Sequence, residues 1–221
     1  MPRRWTFSSG GALLCAPMVI VALALLGPTA AGAETPEAPA KALRAEIDSL
    51  RVLGRYSEAR ERTRELLTLR QAEPKTKPYD LVDAQWLLRT MELAAALPDS
   101  VRAELAWADS ADQRVESLGQ RGSCAEAIPI VQRQLEIRTR LLGRAHPDLV
   151  TSLNNLGYLL HNTGDYVGAE LLYREALATS RELLGQEHPA VALSLNNLGT
   201  VLQATEDYAG AEPVYRDALA M

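Results

Sequence analysis

His146-Pro147-Asp148-Leu149-Val150-Thr151-Ser152-Leu153-Asn154-Asn155-Leu156-Gly157 is followed, 42 residues later, by His188-Pro189-Ala190-Val191-Ala192-Leu193-Ser194-Leu195-Asn196-Asn197-Leu198-Gly199. Asp165-Tyr166, Gly168-Ala169-Glu170, Tyr173-Arg174 and Ala176-Leu177-Ala178 return at the same offset, and segments 146–179 and 188–221 share 20 of 34 positions. Composition alone does not produce that density at one fixed displacement. A constant period of this size marks a solenoid built by stacking one supersecondary unit.

Each copy reads as a helical hairpin. Pro147 and Pro189 suit a first helical turn, where the missing N–H costs nothing. Leu149, Leu153, Leu156 and Leu160 then recur at three- and four-residue spacing, one apolar stripe of a helix. Gly164-Asp165 interrupts it. Ala169, Leu172, Tyr173, Ala176, Leu177, Leu183 and Leu184 stripe a second helix, which Gly185 closes. Small residues at Gly157 and Ala169 are expected where the two helices cross, because a larger side chain would push the backbones apart.

Leu156-Gly157, Gly164-Asp165-Tyr166, Ala169, Tyr173 and Ala176 fall at the spacing of the tetratricopeptide repeat, which the segment 121–221 resembles strongly and the earlier chain more weakly. The longer unit, with Leu-Asn-Asn-Leu-Gly, Ala-Glu-x-x-Tyr-Arg and Leu-Gly-x-x-His-Pro, looks like the kinesin-light-chain type. That resemblance implies an all-α, right-handed solenoid of antiparallel helical hairpins. It also implies a scaffold that binds a protein or peptide partner and is not itself an enzyme. Two alternatives stay open: the exported sensor portion of a larger bacterial signalling enzyme, since similar repeats sit beside protease-like or kinase domains, and a subunit of an envelope assembly.

The chain of 221 residues carries a net charge of −5 and a single Phe, and Ala, Leu, Arg and Glu dominate it. That composition favours helices. Its mild acidity argues against a strongly basic nucleic-acid binder and excludes little else. Residues 1–33 read as a signal peptide: Arg3 and Arg4 form a positive start, Ala12–Leu26 is apolar, and Ala31-Gly32-Ala33 is a small-x-small cleavage site. The alternative is an uncleaved anchor, as 10–33 carries no charge and is long enough to span a bilayer. Membrane contact is expected only through that segment. Cleavage would remove two arginines and no acid, leaving a charge of about −7, which favours solubility. It would also leave Cys124 as the sole cysteine, so the mature protein has no internal disulfide to form.

In chain order, 34–40 reads as a short linker with two prolines. A degenerate first hairpin follows over 41–73: Leu43, Ile47 and Leu50 form its stripe, Gly54-Arg55-Tyr56 parallels Gly164-Asp165-Tyr166, and Ala59 parallels Ala169. Pro74-Lys75-Thr76-Lys77-Pro78 then interrupts. Residues 79–120 form a degenerate helical region whose first helix, apolar on several sides (Leu81, Trp86, Leu88, Met91), is expected to lie between neighbours. One long helix or two short ones fit its second half. The segment 121–143 aligns with the second helix of a repeat, 146–185 is a full copy, and 188–221 is a copy incomplete at its C-terminal end. Pro129 and Pro213, early in second helices, predict a modest bend.

No catalytic constellation emerges. His146 and His188, each before a helix-starting proline, read as caps. His161 stands alone, without cysteines or carboxylates at ligand spacing, and no metal or other cofactor is expected. Cys124 falls where the sibling copies have Tyr166 and Tyr208, and reads as a small packing residue. Phosphate-binding glycine loops and nucleophile elbows are lacking.

A surface is the better candidate. In the family resembled, the first helix of each hairpin lines a concave groove. The matching positions are Thr151, Asn154, Asn155, Tyr158, His161 and Asn162, then Leu193, Asn196, Asn197, Thr200, Gln203 and Ala204. Amides at stacked positions can hold the main chain of an extended peptide. Equally, an Asn can bond the next hairpin and serve the stacking alone. With no Lys or Arg at these positions, a clamp for a C-terminal carboxylate is disfavoured.

Overall fold

The computed structural model describes residues 37–221; the signal peptide expected at 1–33 lies outside them. Nine helices and no strand occur among the described residues: α1 (Glu37–Val52), α2 (Tyr56–Ala72), α3 (Pro78–Ala96), α4 (Asp99–Gln120), α5 (Cys124–Leu142), α6 (Pro147–Asn162), α7 (Tyr166–Leu184), α8 (Pro189–Ala204) and α9 (Tyr208–Leu219). None of them is long and apolar enough to cross a membrane. The molecule is an all-α solenoid of helical hairpins.

Three hairpins stack in sequence, α4–α5, α6–α7 and α8–α9, and each second helix packs on the first helix of the next. Between α7 and α8 the seam joins Ala169, Tyr173 and Leu177 to Val191, Leu195 and Leu198, all buried. Within the α6–α7 hairpin Val150 and Leu153 pack with Ala176, and Leu135 of the preceding copy lies against them. Burying each of the valines and leucines at the α7–α8 seam stabilises by about 1.5–3 kcal/mol, which is what holds neighbouring copies together.

Three features correct or complete the linear reading. The stretch 34–40 is not all linker: α1 begins at Glu37, and Pro39, in its first turn, costs it no hydrogen bond. Residues 99–120 form one helix, α4, which pairs with α5 and completes the hairpin to which 121–143 belongs. Helix α3 stays outside the alternation. It packs on α2 in a separate core with Ile47, Leu50, Tyr56, Leu66, Leu87 and Met91. Its apolar character on several sides reflects contacts to different partners.

The turns explain the glycines. Gly54, Gly122 and Gly164, between the helices of successive hairpins, have φ of +69°, +74° and +89°. Glu206 takes the equivalent place in the last hairpin with φ +63°. A side chain in that left-handed conformation costs about 1–2 kcal/mol. Glu206→Gly is therefore expected to raise stability by about 1 kcal/mol, a gain a denaturant titration followed by circular dichroism will register. Pro129 and Pro213 each occupy the sixth position of an unbroken helix. The carbonyls they deprive of a donor belong to Ala125 and Ala209, both exposed residues, so the lost bond leaves no polar group stranded in the core.

Candidate functional site

Helices α6 and α8 lie side by side, and their outward stripes form one face. Thr151, Tyr158 and Asn162 of α6 are exposed there, as are Thr200, Gln203 and Ala204 of α8, while Asn155, Asn197 and Leu193 are half-buried. Helix α8 contains no charged residue, and the only ionised side chain of α6 is Asp148, at its first turn. The face is polar and uncharged.

Asn154 belongs to the stacking and not to that open face. It is only 6% exposed. Its amide NH2 donates to Val150 O at 3.0 Å and to Ser194 Oγ at 3.2 Å, and its Oδ1 accepts from Asn197 Nδ2 at 3.2 Å. Burial by α8 converts it into a rung between copies, whereas Asn196, its counterpart, stays exposed. Asn197 is committed at one end to the same rung. Asn162 donates to Tyr158 O, and Thr200 to Asn196 O, within their own helices. His161 is half-buried, edge-on to Tyr166 with ring centroids 5.3 Å apart, and its buried Nε2 has no partner among the described residues. Burial lowers its pKa, so the imidazole is neutral at pH 7.

Two tyrosines of the second helices also reach this region. The Tyr215 hydroxyl lies 3.3 Å from Thr200 Oγ1 and 3.2 Å from Gln203 Oε1, contributing a donor that first-helix positions alone do not reveal. It arrives there by crossing Gly199, where a Cβ would stand 2.7 Å from the tyrosine ring. Tyr173 crosses Gly157 identically, and burial, with Tyr158 nearby, pushes its phenol pKa up. The sequence signal for this was the glycine and tyrosine repeated together in both copies.

The remaining sequence candidates are structural. His146 and His188 cap α6 and α8, each Nδ1 accepting a backbone N–H at 3.1 Å, from Asp148 and Ala190 respectively. Cys124 is buried at the start of α5 against Val115, Ala127 and Val131. No cluster of His, Cys, Asp or Glu that could hold a metal occurs among the described residues.

A buried ionic network anchors the face to the preceding helices. Arg51, at the end of α1, donates to Asp109 at 3.1 and 2.9 Å and to Asp148 at 2.7 Å. Arg138 of α5 donates to Asp109 at 3.3 Å, to Asp112 at 2.7 Å and to Ser152 Oγ at 2.9 Å. Burial alone would raise the Asp148 carboxyl pKa, but Arg51 and Arg138 outweigh it and hold that group well below the usual carboxylate range. Burial pushes the His146 pKa down.

Both shifts have the same sign of consequence. A depressed folded-state pKa gives stability that is full above the unfolded value and is lost as pH falls through the folded one. Acidification is therefore expected to weaken the fold first below about pH 6.5, through His146, and again below about pH 4, through Asp148. His146→Asn, which keeps a capping oxygen without a titrating ring, should flatten the first step in thermal melts taken between pH 7 and 5.

The family model of the tetratricopeptide repeat matches residues 104–182 and 150–221, more than half of the chain. The chain belongs to the tetratricopeptide repeat family. The crystal structure of BtubC (BKLC) from P. vanneervenii is similar over 84% of this chain and 80% of that one, at 23% identity and a TM-score of 0.50. A Podosopora anserina protein described as a kinesin light chain with nearly identical TPR-like repeats is similar in two crystal structures. One, of a form with a single substitution, has 17% identity and a TM-score of 0.46, covering 85% of this chain and 95% of that one. The other has 18% identity and a TM-score of 0.44, covering 85% and 96%. At 23% identity the likeness to BtubC is one of fold. No curated protein matches.

Proposed function

We propose that this tetratricopeptide scaffold is exported and grips an extended segment of a protein partner along the α6–α8 face, the concave side of solenoids in this family. The observation that carries the reading is the uncharged polar stripe of Tyr158, Asn162, Thr200 and Gln203. It offers hydrogen-bonding groups over two adjacent helices without a lysine, arginine or carboxylate among them. Such a surface suits the main chain and neutral side chains of an extended peptide better than a charged terminus. Export rests on Arg3-Arg4, the apolar run Ala12–Leu26 and the Ala31-Gly32-Ala33 site, and mass spectrometry of the secreted chain, beginning at Glu34, would support it.

The face is tested by capturing partners from envelope extract on the wild-type chain and on a Tyr158→Ala, Asn162→Ala, Gln203→Ala variant. A partner of this face is expected to lose at least tenfold in affinity to the variant. Because recognition is not ionic, its affinity should change less than about twofold between low and high salt. Equal retention by both proteins rejects the reading.

A further inference from the structure

Helix α3 carries two contact stations on one side, seven residues apart. At the first, Tyr79 meets the His188 ring edge-on at 5.9 Å and Asp83 Oδ1 lies 3.1 Å from His188 Nε2. At the second, Trp86 meets the His146 ring edge-on at 5.7 Å and Thr90 Oγ1 lies 2.9 Å from His146 Nε2. Each station is an aromatic ring followed four residues later by an oxygen acceptor.

The hydrogen bonds fix the protonation of both rings. Each Nδ1 accepts a backbone N–H, so each Nε2 carries the proton. The Thr90 hydroxyl already donates to Trp86 O at 2.8 Å, which leaves its oxygen free to accept from His146. Each histidine is thus a two-ended link, with one nitrogen capping a repeat helix and the other donating to α3. Trp86 adds a third tie: its indole N–H donates at 3.3 Å to Leu183 O, one of the last carbonyls of α7, which have no donor within their own helix.

The spacing matches. Seven residues of helix advance about 10.5 Å, close to the roughly 8–10 Å between the axes of packed helices. We propose that α3 is a strap lying across the N-terminal ends of α6 and α8, gauging the distance between two successive repeats. Most contacts in a solenoid join nearest neighbours. A rigid helix bonded to two repeats at once, and drawn from a part of the chain 56 and 105 residues before its two partners, couples them so that neither opens alone. This inference does not depend on what the α6–α8 face binds.

The test is hydrogen exchange on the full chain with Asp83→Ala, which breaks the His188 station and leaves the aromatic contacts intact. A strap transmits the loss: the Asp148 amide, at the His146 station, is expected to exchange several-fold faster, along with Ala190. Thr90→Ala should speed Ala190 in return. Trp86→Ala should release both stations, by about tenfold, the scale of one or two hydrogen bonds. Acceleration confined to the station that was mutated overturns the proposal, and so does a 15N imidazole spectrum showing Nδ1–H in either histidine. The two alanine substitutions at polar positions decide the matter even where Trp86→Ala fails to fold.

Discussion

Asp109→Ala is expected to cost about 3–5 kcal/mol of stability, because it strands two buried guanidinium groups without their shared counter-ion. Asp109 accepts from Arg51, Arg138 and the Tyr56 hydroxyl, and its side chain is only 5% exposed. Without it, Arg51 keeps Asp148 and Arg138 keeps Asp112, but two like charges face a vacated site, and Arg138 Nε already has no partner among the described residues. Those bonds join α1 and α2 to α4, α5 and α6. The loss should therefore appear first as protease sensitivity in 37–72, and then as a lowered midpoint in urea. A drop below about 1 kcal/mol for Asp109→Ala would show that water reaches the network.

Tyr173→Ala is expected to cost about 3–5 kcal/mol, the usual range for removing a buried aromatic side chain. Its ring fills the seam between α6 and α7 over Gly157, where an added Cβ would lie 2.7 Å from Cε1. Gly157→Ala alone improves helix propensity by about 1 kcal/mol but forces the ring out of place, an overpacking cost of about 1–3 kcal/mol. In a Tyr173→Ala background the clash vanishes and only the propensity gain is left. Gly157→Ala should then change from neutral or destabilising to stabilising, and a double-mutant cycle by urea denaturation measures that reversal. Additive costs would mean that the glycine has no steric role.

The repeat itself was legible in the linear chain because both copies obey one set of local rules. Proline after histidine starts a helix, a 3.6-residue stripe buries one side, and glycine permits the left-handed turn. Those rules act over a few residues, so the His146 and His188 caps, the packing role of Cys124 and the crossing at Gly157 could be read directly. The earlier region was harder to read. In α3 the apolar positions answer to different partners, and no single period survives.

The candidate face was partly legible. Exposure of Tyr158, Asn162, Thr200 and Gln203 follows from their position opposite the leucine stripe. The difference between Asn154 and Asn196 does not, since the two residues lie in identical local sequence. Only the next helix distinguishes them, by covering Asn154 and supplying Ser194 and Asn197 as partners.

By itself, the sequence determined the helical hairpin, its 42-residue period and the polar, uncharged character of α6 and α8, because these depend on side-chain spacing and backbone preferences within a turn or two. Tertiary structure alone decided which amides were spent on stacking, that Tyr215 joins the face, that Arg51 and Arg138 share Asp109, and that α3 bridges two repeats. Each of those is a contact between residues far apart in the chain, where distance in space, not order in sequence, sets the energy.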